Sequence, residues 1–384
     1  MTRRLAAHWP QGEGGCNFQP IVYDYDAKKW RTINKRETQY LVFDEKRKPG
    51  VKQEEPPVRW WQQMLGRFSQ KSAPIMKEPD SDASGFLCPE LFAGGDLRQQ
   101  TFRSLRSGHG LGWPMMAVFY DMIAVDMPDK IPKHIVTSYR EYLESLLQFD
   151  IIAAISEDSR NRLVRYWKGN GVVHLPEILA VPLGVDSVAG AEVLTQSSRQ
   201  APMVLSVGTL EGRKNHASLL DACERLWLRG FHFRLKLIGM LNQETGAEAA
   251  KKITKLKDAG HPVEWTSNAG DRELFAAYQE CDFTVYPSLY EGFGLPVLES
   301  LAHGRACICS GQNAMAEIVS DGGCVAVGEP TAENLERGMA DLLANRDKAV
   351  ALSRGALARK IRTWDEYAHE ICILAQTACR ASSH

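Results

Sequence analysis

Residues 282–304 read Asp-Phe-Thr-Val-Tyr-Pro-Ser-Leu-Tyr-Glu-Gly-Phe-Gly-Leu-Pro-Val-Leu-Glu-Ser-Leu-Ala-His-Gly, and this stretch constrains the fold most sharply. Its first five residues are aromatic or β-branched apart from Asp282 and stop at Pro287, the signature of a short buried strand. Gly292 and Gly294 permit positive φ and let a backbone approach a ligand closely. Pro296 suits the first position of a helix, where its missing N–H costs nothing. A strand, a glycine turn and a helix in that order form one unit of an α/β parallel sheet.

A loop that feeds a helix N-terminus presents unpaired backbone N–H groups and the positive end of the helix dipole, which suit a phosphate or diphosphate. Glu291 precedes the turn and Glu299 lies one turn into the helix. Carboxylates beside an anion site repel it unless each has hydroxyls to accept from, and the hydroxyls of a sugar and a ribose meet that need. The ligand implied is a nucleoside-diphosphate sugar. The competing reading is an ordinary strand-to-helix turn with Glu299 as a first-turn acid favoured by the dipole. These residues alone leave both open.

The same alternation recurs on either side. Phe86–Leu91, Pro114–Tyr120 and Asp150–Ile155 read as strands, with helices at Asp96–Arg106 and Val136–Leu147. Ser156 reads as the N-cap of a further helix. Asp121 ends the second of these strands. In open parallel sheets, ligands gather at the carboxyl ends of strands, which places Asp121 for chemistry. After a short strand near 179–186 comes a small, polar, non-periodic stretch that reads as a linker. A second series of strands begins at Met203–Gly208 and continues at 233–239, 263–265, 282–286 and 306–310, with helices at 215–228, 273–280, 333–343 and from about 349 to 376. Thr209–Lys214 fill the loop after the first strand of that series. There the adjacent cations Arg213 and Lys214 can neutralise a diphosphate without a metal ion, although a solvated loop with Asn215 as helix cap is the plainer account. The Walker pattern is absent, since Gly208 and Gly212 are followed by Arg-Lys-Asn.

The expected organisation is therefore two doubly wound α/β domains. Residues 1–186 form the first, with 45–85 as an insertion or long loop. Residues 187–202 are the linker, 203–348 the second domain, and 349–384 C-terminal helices free to fold back on the first. With 46 Lys and Arg against 47 Asp and Glu, a formal net charge of -1, there is no global basic field for nucleic acid. Nine cysteines without a C-x-x-C pair fit a reducing cytoplasm, and Cys307 and Cys309, on one face of a strand, read as packing rather than metal ligands. No apolar run is long enough to cross a bilayer. Trp60, Trp61, Met64, Leu65 and Phe68 share one face of a short helix flanked by Arg59 and Arg67. That face either packs on its own domain or touches an anionic membrane peripherally.

Glu291 and Glu299, with seven residues between them that include Gly-Phe-Gly-Leu-Pro, resemble the E-x7-E signature of the family four retaining glycosyltransferases. The resemblance runs from about Val118 to Ala375. It implies the GT-B fold, two Rossmann-like domains facing a cleft, with the first strand and glycine-rich loop of the N-terminal domain missing or eroded near Trp9–Gly15. It further implies transfer of a sugar from a nucleoside-diphosphate donor to a glycan or lipid-linked acceptor, without cofactor or metal, in bacterial surface-polysaccharide or lipopolysaccharide assembly with GDP-mannose as a fitting donor. By position, Glu291 and Asp121 are the catalytic pair. Gly208, Arg213, Lys214, Gly292, Phe293, Gly294, Leu295 and Glu299 are the donor-binding set, with Glu299 on the ribose. Tyr120-Asp121 stands where many members carry His, which leaves the carrier of the acceptor proton open. A GT-B sugar-nucleotide epimerase and a non-catalytic nucleotide-sugar-binding scaffold are the alternatives.

Overall fold

The structure, a computed structural model, describes residues 21–24, 29–32, 86–88, 114–131, 133–186, 188, 191, 193 and 201–381. The aromatic face at Trp60, Trp61 and Phe68, the 45–85 insertion, the expected helix at Asp96–Arg106, the segment Trp9–Gly15 and most of the linker lie outside these residues. Near the N-terminus, β1 (Ile21–Asp24) and β2 (Lys29–Thr32) pair antiparallel.

Mostly apolar runs at the centre of each sheet, with charged residues in the outer strands, build two parallel sheets. The first sheet has the order β3 (Phe86–Cys88), β4 (Met115–Phe119), β5 (Ile151–Ala154), β6 (Glu177–Ala180). Every residue of β4 and β5 is buried. Around this sheet lie α1 (Ile123–Asp126), α2 (Lys133–Leu146) and α3 (Glu157–Gly169). Ser156 caps α3, its Oγ accepting from the Ser159 amide at 3.0 Å. The expected strand at 179–186 is displaced. β6 starts at Glu177, and Val185 instead bridges to Thr363.

The second sheet contains β7 (Met203–Val207), β8 (Arg234–Ile238), β9 (Val263–Thr266), β10 (Phe283–Tyr286), β11 (Ala306–Cys309) and β12 (Cys324–Ala326), in the order β12-β11-β10-β7-β8-β9. Its helices are α4 (His216–Leu228), α5 (Ala247–Asp258), α6 (Asp271–Glu280), α7 (Leu295–Ala302), α8 (Ala316–Val319) and α9 (Ala332–Ala344). The sequence reading omits α5 and β12. Buried Ala249, Ile253 and Leu256 give α5 a single narrow stripe on an otherwise charged helix, and β12 is three residues long. Chain order reverses between β7 and β10: β8 and β9 extend one side, β11 and β12 the other. That reversal opens a crevice at the carboxyl ends of β7 and β10, where doubly wound sheets bind ligands.

Two further helices follow, α10 (Arg346–Leu357) and α11 (Trp364–Ala381). Tyr367, Ile371 and Cys372 of α11 share one apolar cluster with Val118, Ile151, Val181 and Leu183 of the first unit. Phe293, Val297, Leu298, Met315 and Ile318 of the second unit belong to the same cluster. Gly184 is required beside α11, because a Cβ there would stand 2.1 Å from the Thr363 carbonyl oxygen. The two sheets are thus joined by packed apolar surface, which costs about 25 cal/mol for each Å² of it exposed by separation. Cys307 and Cys309 both face this cluster, while Ile308 between them faces the other side of the sheet.

Candidate active site

The loop after β7 and the loop after β10 meet at the crevice. Gly208 closes the strand, its N–H donating to the Ile238 carbonyl at 2.9 Å. A single 3-10 turn then carries Gly212, Arg213 and Lys214 upward. The Leu289 amide donates to the Arg213 carbonyl at 3.0 Å, and that bond ties the two loops. Asn215 does not cap α4 with its side chain. It sits in the left-handed region at φ 56° and donates to the Pro330 carbonyl at 2.8 Å.

Glu291 is the hub. Its Oε1 accepts from Arg213 Nη1 at 2.6 Å, Lys214 Nζ at 2.7 Å, the Tyr286 hydroxyl at 2.8 Å and the Ser288 hydroxyl at 2.5 Å. Burial pushes the Glu291 carboxyl up, and Lys214 and Arg213 outweigh it, holding its pKa below the usual range. Burial likewise opposes the charge on Arg213, where Glu291 and Glu211 prevail and raise the pKa. On Lys214 burial wins, and with Arg213 beside it the pKa falls. The cations of the loop are thus largely buried partners of Glu291, 12% and 13% exposed, not a solvated pair. They also keep donors in reserve, since a guanidinium has five N–H groups and an ammonium three. Arg213 Nε is buried without a partner.

Glu299 accepts from the Tyr278 hydroxyl at 3.0 Å through Oε2. The hydroxyls that the two carboxylates require are therefore supplied in part by the protein itself, through Tyr286, Ser288 and Tyr278. None of these has a site role in what the sequence predicts. Tyr286 and Ser288 precede Glu291 by five and three residues, but only the turn at Pro287 brings them onto it.

Asp121 faces this cluster from the first unit. Its Oδ1 accepts from the Ile123 amide at 2.9 Å, and the Tyr139 hydroxyl donates to its carbonyl. Desolvation lifts the Asp121 pKa to about 6, against the lowering influence of that amide and of Arg213. It is a carboxyl that exchanges its proton near neutrality, within Coulombic reach of Glu291, Arg213 and Lys214.

The remaining donor-set residues divide. Gly294 takes φ 112° and α7 starts at Leu295; Pro296 has no N–H and the Val297 amide donates to the Gly294 carbonyl at 3.0 Å, so of the first three helical residues Leu295 alone has an amide outside the helix's own bonding. Phe293 is 7% exposed with its ring in the shared core. The Gly292 carbonyl is not open to a ligand, because it accepts from the Ser156 hydroxyl at 2.7 Å. His216, also unforeseen, opens α4 beside Gly208. Its Nδ1 is buried without a partner, and burial together with Lys214 depresses its pKa to about 3, so the ring is neutral.

The chain is similar to known proteins in sequence and in fold. Residues 195–359 match the profile of the family described as "Glycosyl transferases group 1". That stretch spans the second sheet and its helices. The chain is 29% identical over 220 residues to O-antigen chain mannosyltransferase B of Escherichia coli, covering 55% of this chain and 56% of that one. It is 30% identical over 199 residues to MMP alpha-(1->4)-mannosyltransferase of Mycolicibacterium hassiacum, covering 44% and 47%. The chain therefore spans about half the length of these curated relatives. Among solved structures, sucrose-phosphate synthase from Thermosynechococcus elongatus superposes with a TM-score of 0.59 at 19% identity, covering 74% of this chain and 72% of that one. An alpha,alpha-trehalose-phosphate synthase from Burkholderia vietnamiensis gives 0.61 at 15% identity, covering 79% and 73%. At those identities the likeness shows the fold, and the fold is GT-B. Among the described residues, no helix is long and apolar enough to cross a membrane.

Proposed function

We propose that the chain is a retaining glycosyltransferase that moves mannose from GDP-mannose to a glycan or lipid-linked acceptor in surface-polysaccharide synthesis, acting in the cytoplasm and without a metal ion. The observation that carries this reading is the buried Glu291 carboxylate, held by Arg213 and Lys214 at the crevice between β7 and β10, with Asp121 facing it across the cleft. The curated relatives whose names specify a mannosyltransferase support the sugar. Retention and the cellular setting rest on the resemblance carried by Glu291 and Glu299.

In this mechanism the donor diphosphate takes up the spare N–H groups of Arg213 and Lys214 and the Leu295 amide at the tip of α7. These groups are fixed before the reaction, so they stabilise negative charge as it grows on the departing phosphate without having to reorient. Glu291 orients the sugar and favours its oxocarbenium-like state over the ground state. Asp121, with a pKa near neutrality, is the group we assign to the acceptor proton.

A thermal-shift screen of nucleoside-diphosphate sugars tests the donor, because a ligand that binds only the folded state raises Tm. GDP-mannose should give the largest shift, and NMR of the product with a mannose-terminated acceptor should show the donor's anomeric configuration kept. A screen in which no sugar nucleotide raises Tm, or a product of inverted configuration, would end this reading.

A further inference from the structure

The first turn of α3 touches both candidate acids through the residues beside them. The Ser156 hydroxyl donates to the Gly292 carbonyl at 2.7 Å. The Ser159 hydroxyl lies 2.8 Å from the Tyr120 carbonyl and 3.1 Å from that of Gly292. Each hydroxyl has one proton to give. With Ser156 serving Gly292, the proton of Ser159 goes to its nearer acceptor, Tyr120. Tyr120 precedes Asp121, and Gly292 follows Glu291. One turn of one helix thus holds the backbone next to each carboxyl, one from either unit.

Helix capping does not account for this. A cap requires only that Ser156 Oγ accept from the Ser159 amide, which it does at 3.0 Å, and the Ser159 side chain has no part in it. Yet both serines are 0% exposed, and a hydroxyl that far from water is costly unless its proton is used. The second unit also grips the same turn. Glu317 accepts from the amides of Glu157 at 3.2 Å and Asp158 at 2.8 Å, and Arg162 Nη2 donates to Asn313 Oδ1 at 2.6 Å. Gly292 comes within reach of the serines only because it lacks a side chain, for a Cβ would stand 2.6 Å from the Tyr120 carbonyl oxygen.

We propose that Ser156 and Ser159 are positioning residues, and that the first turn of α3 fixes the separation of the Asp121 and Glu291 carboxylates across the cleft. The catalytic consequence rests on the proposed transferase reading, while the clasp itself does not. A displacement on the order of 1 Å at a reacting centre can cost about a hundredfold in rate, so the effect belongs on turnover rather than on donor affinity.

The experiment compares Ser159→Ala, Ser156→Ala, the double alanine variant and Ser156→Thr with the wild type. The readouts are kcat, KM for the acceptor, the Kd for GDP, Tm, and hydrogen exchange over residues 118–122 and 288–296. Ser159→Ala leaves the cap whole and should lower kcat about tenfold, and the double variant about a hundredfold, with GDP affinity within twofold of wild type. Donor hydrolysis should rise relative to transfer. Ser156→Thr keeps the hydroxyl and should recover turnover. In the double variant exchange should quicken over both segments. Two results overturn the inference: unchanged exchange, or a loss of kcat matched by equal losses in GDP affinity and Tm. If the wild type transfers no sugar, the transferase reading falls alone, and the exchange measurement still decides the clasp.

Discussion

Gly292 lies directly against Asp121: a Cβ on Gly292 would stand 2.7 Å from the Asp121 Cβ and 3.3 Å from its Oδ2. The two halves of the candidate site meet there with no side chain between them. Gly292→Ala must push the backbone of one unit off the other, since Tyr120 offers its carbonyl rather than a flexible tip. The expected cost is about 1–3 kcal/mol of stability with transfer largely lost. Denaturant unfolding and a transfer assay measure both. An alanine variant as stable and as active as wild type would remove Gly292 from the site.

Lys214→Ala removes one of the two cations on Glu291 and a donor in reserve for a diphosphate. Transfer should drop by at least about a hundredfold, the scale at which a fixed charge-stabilising group is lost. Steady-state kinetics with saturating donor checks it, and unchanged turnover would contradict the phosphate assignment.

Glu291→Ala leaves the largely buried Lys214 without its carboxylate and beside Arg213, which keeps Glu211 at 2.7 Å. Breaking a buried pair in this way costs about 3–5 kcal/mol, so Tm should fall clearly. GDP supplies the missing negative charge and should therefore raise the Tm of Glu291→Ala by more than that of wild type. A smaller shift in the variant would place the diphosphate elsewhere.

Asp121 sets the expected pH dependence. Its folded-state pKa is raised from 3.8 to about 6, so between those values the folded protein binds a proton that the unfolded chain has released. Stability then falls as pH rises through that window, and the cost is fully present above pH 6. Asp121→Asn should accordingly raise Tm at pH 7.5 while leaving it unchanged near pH 3.5. The same substitution should abolish a limb near pH 6 in the profile of kcat. A profile with that limb intact would assign the proton to another group.

Much of the fold is legible locally. Ile151–Ala154 is a continuous apolar run, and Phe283–Tyr286 and Met203–Val207 are broken only by Thr284 and Ser206; such runs form strands covered on both faces in a parallel sheet. Gly294 and Pro296 mark the start of α7 because backbone conformation at a helix tip is a property of those residues themselves. Helix α5 is harder to see, since its buried stripe is outnumbered by charges that say nothing of what it packs against.

The site is legible in type rather than in contact. Residue chemistry and chain order made Glu291, Arg213, Lys214 and Asp121 candidates but left plainer readings open, and the E-x7-E resemblance of Glu291 and Glu299 tipped the choice. That Arg213 and Lys214 grip Glu291, that Tyr286, Ser288 and Tyr278 hold the two carboxylates, and that Ser156 and Ser159 brace the cleft are all decided by tertiary structure. The physical reason is distance along the chain: Ser156 and Gly292 are 136 residues apart, and Arg213 and Glu291 are 78 apart. Propensity and periodicity act over a few neighbouring residues. Only the order of the strands and the shared apolar core bring such distant hydroxyls, cations and carboxylates within hydrogen-bonding reach.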